Sequence, residues 1–457
     1  MSLPDLNRTV IAPATPSGKG ALAILRITGK DSFQIFSKMS SGKYLKAAHK
    51  QVSLVKIHKE KEHIDDAVVL FFKAPNSYTG EDIVEIICHG SPYIVREILN
   101  FAIHCGAFLA SPGEFTLRAF INGKMDLARA EAVNALISSD SSAAHHAAIC
   151  QTEGQLSSLI LSLKDRTLSV LAEIEARLDD SDGDLYDPDY KSMYAEILSL
   201  RSETQKTAET FRAGKFMREG IKTVLAGAPN SGKSSLMNVM LGYDRAIVSP
   251  NAGTTRDTLE TSTEINGVRV ILTDTAGISA VAGDSIEKEG MERAVSALRQ
   301  ADMVLLLKDS SCVETDADIL AERQVWQNLP DGSEIIRVFT KADLSGKKTT
   351  GTRKGIAVSS VSGYGLDQLK AAITSRAEDI TANSGSPSVI YARHYETLSV
   401  AADELGDILL ELQGKNVRME ICAEHLRAAL KSFGLITGET VPDDVLEKIF
   451  SSFCVGK

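Results

Sequence analysis

The chain has 457 residues, 43% hydrophobic and 24% charged, with a formal net charge of −10. That is long enough for about three domains with real cores, and the acidic balance excludes a broad, non-specific phosphate-binding surface, so any nucleic acid would be met locally or through a partner. No apolar run approaches the roughly 20 residues that span a bilayer, and MSLPDLNRTV lacks a basic segment followed by an apolar one, so no membrane association and a cytoplasmic location are expected.

From the start to about residue 120, short strand-like runs alternate with two helical ones. RTVIAPAT, ALAILRITG, DDAVVLFF and EDIVEIICHG have strand lengths and apolar patterning, while DSFQIFSKM and SPYIVREILNFAIHC carry helical spacing. An α+β domain over 1–124 is predicted. Two of its connections, Thr15 to Gly20 and Pro75 to Gly80, are rich in Pro, Asn, Ser and Gly; turn chemistry alone reads them as loops.

Helical spacing takes over from about 114 to 215. Leu156, Leu159, Ile160, Leu163, Val170, Leu171, Ile174 and Leu178 form one stripe of a long amphipathic helix. Six aspartates then fall among residues 179–189. Asp180, Asp182 and Asp184 imitate the start of a calcium loop, but Leu185 and Lys191 occupy its glycine and glutamate positions, so a solvated connection is predicted.

Residues 221–234, IKTVLAGAPNSGKS, turn a buried-strand pattern into the P-loop spacing G-x-x-x-x-G-K-S/T through Gly227, Gly232, Lys233 and Ser234. In such a loop backbone N–H groups wrap phosphates, the lysine reaches the terminal ones and the hydroxyl ligates Mg²⁺. Asn230, Ser231, Gly232, Lys233, Ser234 and Ser235 are the candidate phosphate contacts, and the following helix places Leu236, Val239 and Met240 on one face. A second strand, VRVILTDTAG, ends in Asp274 and Gly277, suited to holding Mg²⁺ through water and to close approach by the γ-phosphate. Between them, Gly253-Thr254-Thr255-Arg256-Asp257 offers the Thr255 hydroxyl to Mg²⁺ and reads as a switch loop.

The strand EIIRVFT runs into Lys341-Ala342-Asp343. Guanine presents two adjacent donors that one carboxylate accepts together, and adenine does not, so Asp343 selects GTP. The segment follows the N-K-x-D pattern except that Thr340 stands at the asparagine position; Ser359 begins the short loop that backs the base.

Hydrolysis requires a group that orients water, yet the position after Gly277 is Ile278. Glu287, in Asp284-Ser285-Ile286-Glu287-Lys288-Glu289, is the favoured candidate; the same acids equally suit a helix N-terminus. For transition-state charge there are two options: Arg256 in cis, or a monovalent ion in an oxygen cage from Asn230, Ser249 and the carbonyl of Asn251.

After a polar linker, Thr381 to Pro387, three more helical stripes follow: Leu398 to Leu412, Met419 to Leu430 and Val445 to Phe453. Residues 125–215 and 381–457 are therefore expected to form one discontinuous helical domain, into which a Ras-like α/β GTPase domain, 216–380, is inserted. The cysteines at 88, 105, 150, 312, 422 and 454 include no C-x-x-C pair, so reduced, mostly buried thiols are expected. The terminal CVGK is not a prenylation signal, because Gly456 is not aliphatic and Lys457 is not a usual last residue.

The order and wording of ATPSGKGALAILRITG, PNSYTGEDIVEIICHG, SPGEFTLRAFINGKMDLARAEAV, GAPNSGKSSL, AGTTRD, DTAG and SSFCVGK resemble the MnmE/TrmE family of tRNA-modification GTPases along the whole chain. The resemblance implies an N-terminal domain that binds a tetrahydrofolate (5,10-methylene or 5-formyl form) and forms a homodimer. It also implies potassium-dependent GTP hydrolysis, and action with an FAD-containing partner of the MnmG/GidA type to add an aminomethyl-type group to C5 of the wobble uridine in tRNA. By position it makes Arg26, Glu85, Lys124 and Lys457 folate contacts. Asn230, Ser249, Asn251 and Thr254 would line a potassium site, Ser234 and Thr255 would hold Mg²⁺, Thr254 and Thr255 would touch GTP, and Glu287 would orient water. Ser17 and Lys19 depart from the family's more usual proline and arginine.

A rival of another class is a ribosome-assembly switch GTPase, which shares the P-loop, the switch and the apolar residue after D-x-x-G. Such proteins usually carry a basic RNA-binding module, and this chain has neither a G-x-x-G clamp nor a positive balance. A folate-dependent methyltransferase with an idle nucleotide domain is disfavoured by the intact switch residues.

Overall fold

A computed structural model describes residues 4–59, 62–179, 189–243, 261–274, 294–312, 315–330, 333–344, 355–381, 389–414 and 416–456. The chain divides into two compact units: Met1–Asn134, Gln151–Arg201 and Val400–Lys457 in one, Ala135–Cys150 and Ser202–Ser399 in the other.

The first unit is built on a six-stranded sheet, in the order β3-β4-β5-β2-β1-β6. Its strands are β1 (Val10–Pro13), β2 (Leu22–Thr28), β3 (Gln51–Lys59), β4 (Glu62–Phe72), β5 (Ile83–His89) and β6 (Phe108–Leu109). All pairings are antiparallel except β1 with β6. Alternation in β2 sends Ala23, Leu25 and Ile27 into the core with Phe33, Ile35, Phe36, Val84, Ile86 and Ile98, under helices Ser32–Met39 and Pro92–His104. The opposite phase puts Ile24, Arg26 and Glu85 on the other face, where Arg26 stands opposite Glu85.

β3 was not legible as a strand. Val52 and Leu54 are exposed while Val55 and Ile57 are buried, so its apolar residues change phase midway, and the pairing shifts register between Ile57 and His58. The same unit contains helix Gln155–Leu178, whose buried Leu156, Ile160, Leu163, Val170, Leu171 and Ile174 pack on helix Met419–Thr437 with Cys422, Leu426, Ala429, Phe433 and Ile436. Helix Asp443–Ser451 docks Leu446 and Phe450 on Leu117, Leu127 and Ala130. The tail that follows packs at the start of helix Glu114–Ile121, where Gly113 N–H meets Cys454 O at 3.4 Å, and at the end of the first strand, where a Cβ on Gly456 would fall 2.1 Å from Pro13 O.

The second unit is a doubly wound sheet, β12-β11-β10-β7-β9-β8, parallel except for the antiparallel β8–β9 pair. Its strands are β7 (Ile221–Gly227), β8 (Thr261–Ile265), β9 (Val268–Asp274), β10 (Met303–Asp309), β11 (Glu334–Thr340) and β12 (Ile356–Ala357). Near-continuous apolar runs suit strands covered on both faces. In β10, Met303, Leu305 and Leu307 join one core with Leu236 and Met240, while Val304 and Leu306 join the other with Val224, Ala226 and Val325. As predicted, the chain thus combines an α+β N-terminal domain, helical elements and a P-loop α/β domain.

The cysteines correct one expectation. All six are free, but only Cys88 and Cys422 are buried; Cys312, in the turn after β10, and Cys454, in the tail, are exposed. Burial pushes the Cys88 and Cys422 thiols up to about 11, which leaves them protonated and inert. Among the described residues, no helix is long and apolar enough to cross a membrane.

Candidate active site

The carboxyl ends of β7, β9, β10 and β11 lie side by side, the usual position of a ligand crevice in an open α/β sheet. β7 gives way at Gly227, where φ is +153° and a side chain would strike Leu307 O at 2.4 Å, so only glycine lets the loop leave the strand here. Asn230 (φ +63°) and Gly232 (φ +92°) curl the loop into a nest that feeds helix Lys233–Tyr243. Lys233 is 6% exposed, and its Nζ donates to Gly227 O and Ala228 O, each at 2.8 Å. Burial pulls its pKa below the ordinary lysine value, against the opposing charge of Asp274. Ser231 Oγ is buried within the loop beside Gly227 without a hydrogen-bond partner, an unmet polar atom suited to a phosphate oxygen.

Ser234 Oγ, at the helix start, donates to Asp274 Oδ2 at 2.8 Å across to β9. This hydroxyl–carboxylate pair is the oxygen donor set a hard divalent cation takes. Ser235, exposed in the same first turn, remains at the loop's rim. Thr254, Thr255, Ser249, Asn251, Gly277 and Glu287, together with Arg256 and Ile278, lie outside the described residues, so the switch, most of the potassium cage and the water-orienting group are not located.

On the base side, Thr340 ends β11 and is 2% exposed. Its Oγ1 donates to Ser231 O at 2.6 Å, tying the base-side strand to the P-loop, with Lys308 O at 3.3 Å. Lys341 adopts φ +55° and pairs its Nζ with Asp309 Oδ2 at 2.6 Å. Burial alone would raise the Asp309 carboxyl, but Lys341 and Ser311 hold it below its usual range. Asp343 is exposed, and its Oδ1 accepts from Ser359 Oγ at 2.6 Å; that same hydroxyl accepts from the N–H groups of Val361 and Ser362. Gly365 seals this loop, since a Cβ there would lie 1.9 Å from Ala357 O.

A second constellation occupies the other unit. Arg26 Nη2 lies 2.6 Å from Glu85 Oε1, both half-buried, and the guanidinium sits 5.7 Å from the ring centroids of Tyr78 and Phe115. The Tyr78 hydroxyl is 2.9 Å from Thr116 Oγ1, and burial raises its pKa. Lys124 is exposed and reaches the same loop, donating to Pro75 O at 2.9 Å. Lys457 lies outside the described residues, but the tail through Gly456 is seated against Pro13 and Ala14.

Beneath this loop is a network the sequence reading missed. Arg118, 1% exposed, donates to both oxygens of Glu81 at 3.1 Å, to Glu114 at 2.6 Å, and to Leu6 O and Arg8 O. Glu81 also accepts from Thr28 on β2 at 3.0 Å. Desolvated charges hold only when fully paired, so this cluster fixes the 75–82 loop to the sheet. The available signal was Glu114-x-x-x-Arg118 at helical spacing amid Phe115, Leu117 and Phe120. Asp309 was missed likewise, although it ends the apolar run MVLLLK as Asp274 ends its own strand.

Residues 9–124 match the family described as GTP-binding protein TrmE N-terminus, and residues 127–454 match the MnmE helical domain. The tRNA modification GTPase MnmE of Chlorobaculum tepidum is 36% identical over 472 residues, covering 100% of this chain and 99% of that protein. Those of Aquifex aeolicus and Akkermansia muciniphila are 37% and 38% identical, each covering 99% of this chain and 100% of the relative.

Proposed function

This chain belongs to the MnmE family of tRNA modification GTPases, and we propose that its GTP hydrolysis drives addition of an aminomethyl-type group to C5 of the wobble uridine in tRNA. The added group is carboxymethylaminomethyl or aminomethyl, with a tetrahydrofolate supplying the one-carbon unit and an FAD-containing partner of the MnmG/GidA type supplying redox chemistry. The observation that carries the reading is the coexistence of two sites in one chain. One is a P-loop nest bounded by Thr340 and Asp343; the other is the Arg26–Glu85 pair under Tyr78.

In the first site, backbone N–H groups of the nest and Lys233 hold the phosphates, and Asp343 accepts from the guanine edge. Ser234, Thr255 and, through water, Asp274 would hold Mg²⁺, which would supply neutralisation of phosphate charge. Asn230, Ser249, Asn251 and Thr254 would hold potassium, which would supply the positive charge of an arginine finger, and Glu287 would orient water. In the second, Glu85 accepts from the pterin's donor edge while Arg26, Lys124 and Lys457 meet its acceptors and carboxylates.

The homodimer is formed through the N-terminal domain. Supporting this, the outer face of its sheet leaves Val52, Leu54, Val68 and Leu22 exposed around the Arg26–Glu85 row. A switch acting on ribosome assembly would have no use for that pair. The test is mass spectrometry of tRNA nucleosides from cells lacking this protein, complemented by the wild type or Lys233→Ala. Wobble-uridine modification restored by the wild type alone is expected; unchanged nucleosides on deletion would overturn the reading.

A further inference from the structure

The residue at the asparagine position of N-K-x-D is a threonine with one proton to give. Thr340 Oγ1 is 2.6 Å from Ser231 O and 3.3 Å from Lys308 O, both carbonyls that can only accept. The hydroxyl's single donor is therefore spent on the P-loop, with the weaker contact sharing what remains. The backbone of residue 340 is also committed: its carbonyl accepts from Ser310 N–H, and the residue pairs with Asp309 in the β10–β11 ladder. At 2% exposure, turning the hydroxyl toward a ligand would strand the Ser231 carbonyl in the interior. Leaving a buried acceptor unmade costs more than one new neutral hydrogen bond returns, so the tether wins.

Guanine N7 is an acceptor and needs a donor. We infer that Thr340 serves as a strut between base loop and P-loop and leaves N7 unread, so that this chain recognises guanine on its Watson–Crick edge alone, through Asp343 braced by Ser359 at 2.6 Å. An asparagine at this position has two amide protons, enough to keep the Ser231 tether and to reach N7 as well. Base recognition here is thus narrower than the motif implies. The inference rests on the guanine-nucleotide reading of the site.

The test is competition by GDP and by 7-deaza-GDP, in which a C–H replaces N7, against a fluorescent guanine nucleotide on the full chain with Mg²⁺. Wild type should bind the two within about threefold, and Thr340→Asn should prefer GDP by roughly 3- to 10-fold, the range one neutral hydrogen bond supplies. A wild-type preference for GDP beyond about threefold would overturn the proposal, as would an unchanged ratio in Thr340→Asn. Failure of the wild type to bind either competitor or the fluorescent nucleotide would remove the guanine reading itself, and this inference with it.

Discussion

Arg26 and Glu85 face one another across β2 and β5, guanidinium to carboxylate at 2.6 Å, with the guanidinium 5.7 Å from the ring centroids of Tyr78 and Phe115. A half-buried charge pair in mid-sheet is a poor choice for stability alone, since apolar residues of similar volume usually do as well. Its value lies in the carboxylate's remaining lone pairs, which a donor edge can meet. Glu85→Gln keeps the shape and loses the charge; binding of 5-formyltetrahydrofolate to the full chain, followed calorimetrically, should weaken by about tenfold or more. Unchanged affinity would separate this pair from folate.

Under the proposed function Glu287 orients water, since the apolar Ile278 cannot. Glu287→Ala should lower the GTP hydrolysis rate by about 10²- to 10⁴-fold while leaving nucleotide affinity within a few fold. Single-turnover hydrolysis beside equilibrium binding distinguishes the two effects; a wild-type rate would return the search to the neighbouring acids.

Asp65 is buried near the start of β4, accepting from His89 N–H at 2.8 Å with the His89 ring nitrogen at 2.7 Å. Burial alone would raise this carboxyl, but the His89 contacts together with the Asp66 N–H more than offset it and hold it below the ordinary 3.8. A depressed carboxyl contributes stability above its unfolded value and loses it as pH falls through the folded one. Asp65→Asn should therefore cost about 1–3 kcal/mol near neutrality, with the gap to wild type closing below about pH 4. Thermal unfolding across that pH range measures it; a constant gap would mean the charge contributes nothing.

Gly456 sits at φ +95° with Pro13 O where a side chain would be, 2.1 Å from an added Cβ. Because the obstacle is backbone, Gly456→Ala must unseat the tail. If Lys457 serves the folate site, tetrahydrofolate affinity should fall about tenfold, the value of one charge-assisted contact, while GTP hydrolysis is unaltered. Intact folate binding would show that the tail is only packing.

The P-loop unit was read well from sequence because its chemistry is local. Gly227, Gly232 and Lys233 are neighbours in the chain, and apolar runs such as MVLLLK announce strands covered on both faces. What escaped is what tertiary pairing creates. β3 hid because Val52 and Leu54 point away from the core that Val55 and Ile57 enter. Arg118 is buried because Glu81, far away in sequence, folds over it, and no neighbouring residue announces that partner. The role of Thr340 is likewise set by Ser231, over a hundred positions earlier, and only their juxtaposition turns a substitution into a tether.

The seat of the tail also bears on biosynthesis. Gly456, which closes against Pro13 and Ala14 at the carboxyl end of the first strand, follows them in the chain by more than four hundred residues and leaves the ribosome that much later. A nascent chain can therefore complete its P-loop unit well before the first strand acquires its last neighbour. Chains released early would carry a finished P-loop nest while the first strand still lacked the tail backbone that closes on Pro13.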